Sequence, residues 1–597
     1  MMVSEFENKS SLFDLQELKD RKGLLAGDLL AVDPKLYAKF LQYITRTVRR
    51  DVITKNMVFL TGLSAYTKDP INLFLRGESS IGKSHNVREV LRLFPKDDVW
   101  FLGGLSPTAL VHEKGILVDK NGNIILPSDK PDRNASKEEK EAWRERLRDS
   151  RYIVDLQGKI LVFLEAPHIQ TYNMLRPILS HDTWEISYKF TDRSGKGKLQ
   201  TMHVVIRGWP ATIFCSTQER YVQDLATRGF TITPETTKEK FQAANILTGE
   251  KAAFPWKFRE DFDFMLLQGY IGYLKGKLQE IDVIIPYGEQ LGKRFPSKFP
   301  RSMRDFKHIL SLIKVYALFH LAQRPILIRK VEEKEETYVP AVRADYEFAM
   351  GLWEKIRETT ETFAPGHIIK FYYEVVKEVA NEKSEFLIED LVEKWNSKFE
   401  DKRSSDIIRK WVDFLCKIGY MNKKPDPNDK RRNVLTVIKA NEKNGNYTQI
   451  KFSEFFTLEA FKEWLNEAKK ISEENQVLLK KNLLSDEEAS PEDIWQIYYC
   501  KNGDFSDILL GEKQGVVAQS IPENSEFQKS VQFPKIHKFE EIKALYWVDG
   551  EFTFHPCGIC GYSKLTSWKA ETFKGEQVWI CEDCVRQWEK NKEKSNN

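Results

Sequence analysis

Short apolar runs and helix-spaced apolar positions alternate along the first half of the chain. Ile71–Arg76 is a short, largely apolar, strand-like run, and His85–Phe94 carries apolar residues at helical spacing. Asp98–Leu102 predicts a second strand. Gly158–Glu165 (GKILVFLE) is an unbroken apolar run ending in an acid, the pattern of a strand buried on both faces of a parallel sheet. Pro210–Thr217 (PATIFCST) reads the same way but ends in hydroxyl residues. Trp184–Phe190 and Leu199–Arg207 alternate like paired strands, and Gly115–Leu126 has two apolar runs around DKNG, which predicts a hairpin. Helices are expected over Pro34–Thr47, Asp51–Tyr66, Ile169–Leu179, Phe299–Arg324 and Ala344–Thr362. Others should start at Ser106–Pro107 and at the Ser136–Glu139 capping box. The prediction is a multidomain α/β chain.

The pattern changes at Gly366. Three amphipathic helices (His367–Ala380, Phe386–Phe399, Ser404–Ile418) precede two β-like runs separated by KKPDPNDKRRN. Three helices and a basic two-stranded ribbon describe a winged helix. Its helix Ser404–Ile418 would enter a DNA groove, and Lys423, Lys424, Lys430, Arg431 and Arg432 would contact phosphates. The same module also serves protein contacts. Helices are expected at Phe455–Lys470 and Ser490–Tyr499, whereas His537–Val548 is helix or strand. The boundaries that follow are a loosely held N-terminus (1–25), an α/β core (26–325), a linker with a helix (326–364), the winged helix (365–440), a mixed connector (441–550) and a cysteine-bearing end (551–597).

Composition narrows the class. The 597 residues are 41% hydrophobic and 30% charged, enough for packed cores. A net charge of +4 excludes a uniformly basic nucleic-acid coat but allows local patches. No apolar run approaches the length of a membrane span, and the first residues lack a signal-peptide core. Of seven cysteines, four cluster near the C-terminus while Cys215, Cys416 and Cys500 are scattered. That usage implies a reducing, cytoplasmic setting and one metal site.

The candidate chemistry centres on Gly77-Glu78-Ser79-Ser80-Ile81-Gly82-Lys83-Ser84, followed by His85. GESSIGKS is a full match to the phosphate-binding loop G-x-x-x-x-G-K-[ST], set between a predicted strand and a predicted helix. Its backbone N–H groups would curl round the phosphates of ATP, aided by the helix N-terminus. Lys83 would reach the β- and γ-phosphates and Ser84 would hold Mg²⁺. Glu165 ends the buried strand, where it would orient the attacking water. An aspartate that often precedes such an acid is replaced by Leu164. Ser216 and Thr217 end the next core strand and would sense the γ-phosphate. The turn TDRSGKGK between the alternating strands carries Arg193, Lys196 and Lys198, a probe for a phosphate backbone or an ordinary solvated tip. Near the C-terminus, Cys557, Cys560, Cys581 and Cys584 have the C-x₂-C-x₂₀-C-x₂-C spacing of a closed four-thiolate zinc site.

Phosphate loop, apolar strand with glutamate, helix, long hairpin, strand ending in Ser-Thr, then Arg228: in this order the motifs of residues 30–325 resemble AAA+ ATPases with a hairpin before sensor 1. The chain looks most like the minichromosome-maintenance-type replicative helicases and the primase-associated helicase-like ATPases of mobile elements. The resemblance implies a homo-oligomeric, usually hexameric ring that hydrolyses ATP between subunits and moves on DNA. It makes Lys83 and Glu165 catalytic, Arg228 an arginine finger and Arg304 a sensor-2 arginine, with Arg301 in reserve. Primase or other replication proteins would be partners. An ATP-regulated initiator or loader without unwinding, and a non-enzymatic DNA-binding regulator, are the alternatives. The large N-terminal domain of the minichromosome-maintenance proteins has no counterpart in the 30 residues before the core.

Overall fold

The computed structural model describes residues 33–103, 115–132, 134–165, 176–192, 200–216, 228–278, 280–296, 301–331, 334–426, 432–438, 450–470, 477–483, 485, 487–500, 542–547, 553–556, 563–566, 568–572, 577–580, 585 and 588. The expected loose N-terminus (1–25) and the helix start at Ser106–Pro107 lie outside them. The chain divides into two compact units, Met1–Gly511 and Glu512–Asn597.

Among the described residues the first unit begins with two helices, Leu36–Thr45 and Val52–Ser64, which lead into the first strand. In chain order the strands are β1 (Asn72–Arg76), β2 (Val99–Leu102), β3 (Ile116–Val118), β4 (Arg151–Asp155), β5 (Ile160–Phe163), β6 (Glu185–Asp192), β7 (Gln200–Arg207), β8 (Ala211–Ser216) and β9 (Phe230–Ile232). Five of them form a parallel sheet in the order β2-β5-β8-β1-β9. All residues of β1 and β5 are buried, which is why they read as unbroken apolar runs.

The two faces of this sheet pack differently. Leu73, Leu75, Val162 and Ile213 join the main core with the helices Val52–Ser64 and Lys83–Leu91. Alternate positions on the opposite face bring one phenylalanine from each of three neighbouring strands into line. Phe163 stacks on Phe214 at 4.6 Å between centroids, and Phe214 on Phe74 at 5.0 Å. Burying each ring stabilises the sheet by roughly 1.5–3 kcal/mol. This face meets Val154, Val204 and Ile206 of a second sheet, β3-β4-β7-β6.

The predicted alternating strands pair as expected. β6 and β7 run antiparallel from Glu185↔Arg207 to Asp192↔Gln200. Their basic tip, with Arg193, Lys196 and Lys198, lies outside the described residues. The DKNG segment turns as a short hairpin: Val118 bridges Ile124, Asp119 N–H donates to the Asn123 carbonyl (2.9 Å) and Ile125 N–H to the Leu117 carbonyl (2.8 Å), while the other edge of β3 pairs with β4.

Beyond residue 280 the chain builds β10 (Ile281–Ile284), β11 (Ile326–Val331), β12 (Lys334–Pro340), β13 (Met421–Pro425), β14 (Asn433–Val437) and β15 (Val477–Lys480). β10, β12, β11 and β15 form one sheet in that order. Two expectations are corrected here. Residues 326–340, expected as linker, are two strands of this sheet. The segment from 450 to 500, expected as connector, returns to the main body. It adds β15 beside β11 and buries Phe452, Phe456, Phe461 and Tyr499 in the main core. The helix Arg343–Thr362 covers the open edge of β9, where Thr231 N–H donates to the Thr360 hydroxyl (3.1 Å) and the Thr359 hydroxyl donates to the Thr231 carbonyl (2.6 Å).

Residues 366–437 carry their own core. The helix Gly366–Phe371 continues through a π-helical turn, Tyr372–Val376, into Lys377–Glu382. With Ile388–Lys398, Ser405–Lys417 and the antiparallel ribbon β13–β14, it encloses Phe371, Trp395, Trp411, Leu415 and Leu435. The predicted three helices and ribbon are therefore present.

In the second unit the strands are β16 (Ile542–Trp547), β17 (Thr553–Pro556), β18 (Ser563–Thr566), β19 (Trp568–Thr572) and β20 (Gln577–Ile580). They form a β16-β19-β20 sheet and a β17–β18 hairpin. The undecided segment at 537–548 is thus a strand over Ile542–Trp547. Among the described residues, no helix is long and apolar enough to cross a membrane.

Candidate functional site at the phosphate loop

β1 ends at Arg76, and the helix Lys83–Leu91 begins six residues after Gly77. Strand, loop and helix stand in the order the motif requires. The loop backbone needs its glycines. Gly77 has φ 138° and a Cβ there would lie 2.6 Å from the Ile81 side chain, while Gly82 has φ 88°. Ser80 also takes a left-handed conformation, φ 66°. Lys83 is buried, and its Nζ donates to the carbonyls of Gly77 (2.9 Å) and Glu78. Burial holds its ammonium below the ordinary lysine range.

The sheet register brings Ser216 and the end of β5, which leads to Glu165, to the same end. Arg76 lies level with Ser216 on β8, and Phe163 of β5 is level with Phe214. Two residues past Phe163, Glu165 is exposed at the carboxyl edge. It stands two strands from β1, a gap of about 10 Å. That gap suits a terminal phosphate and a water. Leu164 N–H donates to the Leu102 carbonyl (3.0 Å), and its side chain packs on the core, so no carboxylate stands there. Thr217 lies outside the described residues. His85 is turned away from the loop, its Nε2 3.0 Å from the Thr47 carbonyl.

Several residues of the site were not expected. Cys215, opposite Leu75, hydrogen-bonds the Ser84 side chain, and burial pushes its thiol up to about 11. The hydroxyl that would hold Mg²⁺ therefore faces a neutral sulfur. Asp51, buried with φ 51°, joins three elements. Its carboxylate accepts from Asn86 Nδ2 (2.7 Å) and Glu235 N–H (2.6 Å), and pairs with Lys240 Nζ at 2.6 Å. Lys240 Nζ also donates to the Ile81 carbonyl (2.8 Å), so this buried pair holds the loop from behind. Asp51 and Lys240 lie on different elements far apart in sequence, and no local motif marks them.

Arg228 and Arg304 occupy the other end of β1. They line one cavity of about 80 Å³ with Asn72, His181, Lys307 and His308. Asn72, the first residue of β1, donates through Nδ2 to the carbonyls of Arg228 and Leu179 (both 2.9 Å). Gly229 presses on the same strand, where a Cβ would stand 2.2 Å from the Asn72 carbonyl oxygen. β1 separates this cavity from the phosphate loop by about 13 Å. Arg304 therefore lies away from the loop of its own chain. Either arginine would meet a nucleotide only in another chain's loop. Arg301, the reserve, pairs with Asp305 (3.0 Å).

Of the ribbon cations, Lys423, Lys424 and Arg432 are exposed on or beside β13–β14, with Lys423 3.0 Å from Asp413. Lys430 and Arg431 lie outside the described residues. So do Cys557, Cys560, Cys581 and Cys584. Among the described residues no cluster of three His, Cys, Asp or Glu side chains is placed to hold a metal. The strands β17 and β20, which lead directly into the two cysteine pairs, lie beside each other.

No protein-family model matches the chain, and no curated protein matches it.

Proposed function

We propose that this chain is an ATP-hydrolysing motor of the AAA+ type that acts on DNA, a ring-forming helicase of replication. The observation that carries the reading is the phosphate loop itself. GESSIGKS sits at the carboxyl end of β1, an inner strand of a parallel sheet, where such sheets bind ligands, with the Lys83 ammonium held on the loop carbonyls and Glu165 about 10 Å away along the same edge. Gly77–Ser84 would cradle the phosphates of ATP, and Ser84 would hold Mg²⁺, which supplies charge neutralisation at the β- and γ-oxygens. Glu165 would accept the proton of the attacking water. Arg228 and Arg304 would complete the site of a neighbouring subunit.

The DNA half of the reading rests on the β6–β7 hairpin, on the three-helix domain read as a winged helix, and on the zinc spacing. The zinc reading rests on the C-x₂-C-x₂₀-C-x₂-C spacing, and the neighbouring strands β17 and β20, which precede the two cysteine pairs in sequence, are compatible with it. A closed set of that kind would be structural. An ATP-regulated initiator that binds duplex DNA without unwinding it is the alternative, and Leu164 in place of a second acid favours a third reading, a non-enzymatic DNA-binding regulator with a degraded nucleotide site.

ATP turnover with and without single-stranded DNA, beside strand displacement on a forked duplex, separates these readings. DNA-stimulated turnover with displacement is expected. Turnover without displacement by the assembled protein supports the initiator. Absence of turnover, unchanged by Glu165→Gln, defeats both and supports the regulator.

A further inference from the structure

The domain formed by residues 366–437 meets the phosphate loop directly. Arg403, in the turn between the helices Ile388–Lys398 and Ser405–Lys417, places Nη2 2.9 Å from Oε1 and 3.2 Å from Oε2 of Glu78. Glu78 is the first variable residue of the loop. Its carbonyl accepts from Lys83 Nζ, the group that reaches the β/γ end of a bound triphosphate. Glu78 is therefore flanked by two cations, one from the loop and one from the neighbouring domain.

Arg403 is built into this position. Its side chain is 19% exposed. Its backbone is clamped on both sides by Asn396, whose Oδ1 accepts from Arg403 N–H (2.8 Å) and whose Nδ2 donates to the Arg403 carbonyl (3.1 Å). The guanidinium lies 5.6 Å from the Trp411 ring centroid and also pairs with Asp401. Its Nε is buried and makes no hydrogen bond. The domain is seated beside the loop by further contacts. Arg76 Nη1 donates to the Phe363 carbonyl, and its guanidinium lies 5.9 Å from the Phe414 ring. Gly366 N–H donates to the Thr233 hydroxyl (2.8 Å).

We propose that Arg403 is a γ-phosphate ligand delivered in cis by this domain. The inference rests on the nucleotide reading above. A γ-phosphate beside Lys83 repels the Glu78 carboxylate and offers the guanidinium a stronger partner, since planar guanidinium forks match phosphate geometry. Arg403 exchanges Glu78 for the phosphate. A diphosphate does not extend to this point and leaves the Glu78 pair intact. The seat of the 366–437 domain then depends on which nucleotide is bound.

Calorimetric binding of Mg²⁺ with ADP, and with a non-hydrolysable ATP analogue, to the full chain tests this. Arg403→Ala is expected to weaken the triphosphate analogue by about ten- to a hundredfold, the range for a hydrogen bond to a charged group. ADP affinity should change less than about twofold. Glu78→Gln, which releases Arg403, should tighten the analogue several-fold more than it tightens ADP. Equal losses for both nucleotides in Arg403→Ala, or no loss for either, overturn the proposal. ADP binding also reports whether the variant has kept its fold. A wild-type chain that binds neither nucleotide defeats the nucleotide reading itself, and the proposal with it.

Discussion

The buried pair behind the phosphate loop gives the sharpest stability prediction. Asp51→Asn keeps the shape of the side chain and tolerates the left-handed backbone, but removes the charge. Lys240 would then keep its bond to the Ile81 carbonyl and lose its carboxylate, with its side chain only 7% exposed. The new amide also places a donor against donors from Lys240 and Asn86. Breaking a buried ion pair from one side costs about 3–5 kcal/mol. The lower figure corresponds to about a hundredfold faster local opening. Hydrogen exchange of peptides covering residues 72–91 is the assay, because a chain of several domains does not unfold in one step. Lys240→Met should cost a similar amount. The double variant should lose less than the two singles together, by about 1–3 kcal/mol of coupling. Exchange in Asp51→Asn within twofold of wild type, or strictly additive losses, would refute this role for the pair.

Three further outcomes are expected. Phe214→Ala opens a cavity in the middle of the phenylalanine row between Phe74 and Phe163, and should destabilise the sheet by about 3–5 kcal/mol, read as faster exchange in β1 and β8. Burial, with Lys307 nearby, holds the His181 pKa down at about 4 against an ordinary 6.5. The unfolded chain binds the proton first, so stability rises with pH between about 4 and 6.5, by about 3 kcal/mol at most. Glu361 has the opposite sign. Burial raises its carboxyl from 4.5 to about 7, so its contribution falls over that window, and the His181 effect must be read as wild type minus His181→Asn. Identical pH profiles for the two chains would refute it. Elemental analysis should find one zinc per chain, lost in Cys581→Ser with Cys584→Ser, and loss of the metal should melt the β16-β19-β20 sheet; full protection of that sheet under chelation would count against a structural zinc.

The sequence was most legible where local pattern and burial coincide. β1 and β5 are buried along their length, as is β8 over residues 211–215, and they carried continuous apolar signals, while the alternation of β6 and β7 gave their pairing. The charged run around residue 330 misled because its charges are paired across a hairpin. Arg329 stands 3.6 Å from Glu336, and Lys330 3.9 Å from Glu335. In residues 450–500 the two predicted helices form, as Leu458–Lys470 and Pro491–Tyr498, but their docking was not legible, since Phe452, Phe456 and Tyr499 pack into a core assembled from distant elements. The loop was found by its motif, but the groups that position it were not. Asp51, Lys240 and Arg403 act through long-range contacts that no spacing rule describes. Arg228 and Arg304 were named as separate candidates, and only the fold places them in one cavity at the far end of β1.

The central claim is that the Gly77–Ser84 loop binds a nucleoside triphosphate through Lys83. Equilibrium binding of a fluorescent ATP analogue with Mg²⁺, to wild type and to Lys83→Ala, tests it most directly. Saturable binding by wild type that falls at least about a hundredfold in Lys83→Ala is the predicted result, given a buried ammonium facing phosphate charge. Equal binding by both chains, or none by wild type, would contradict it.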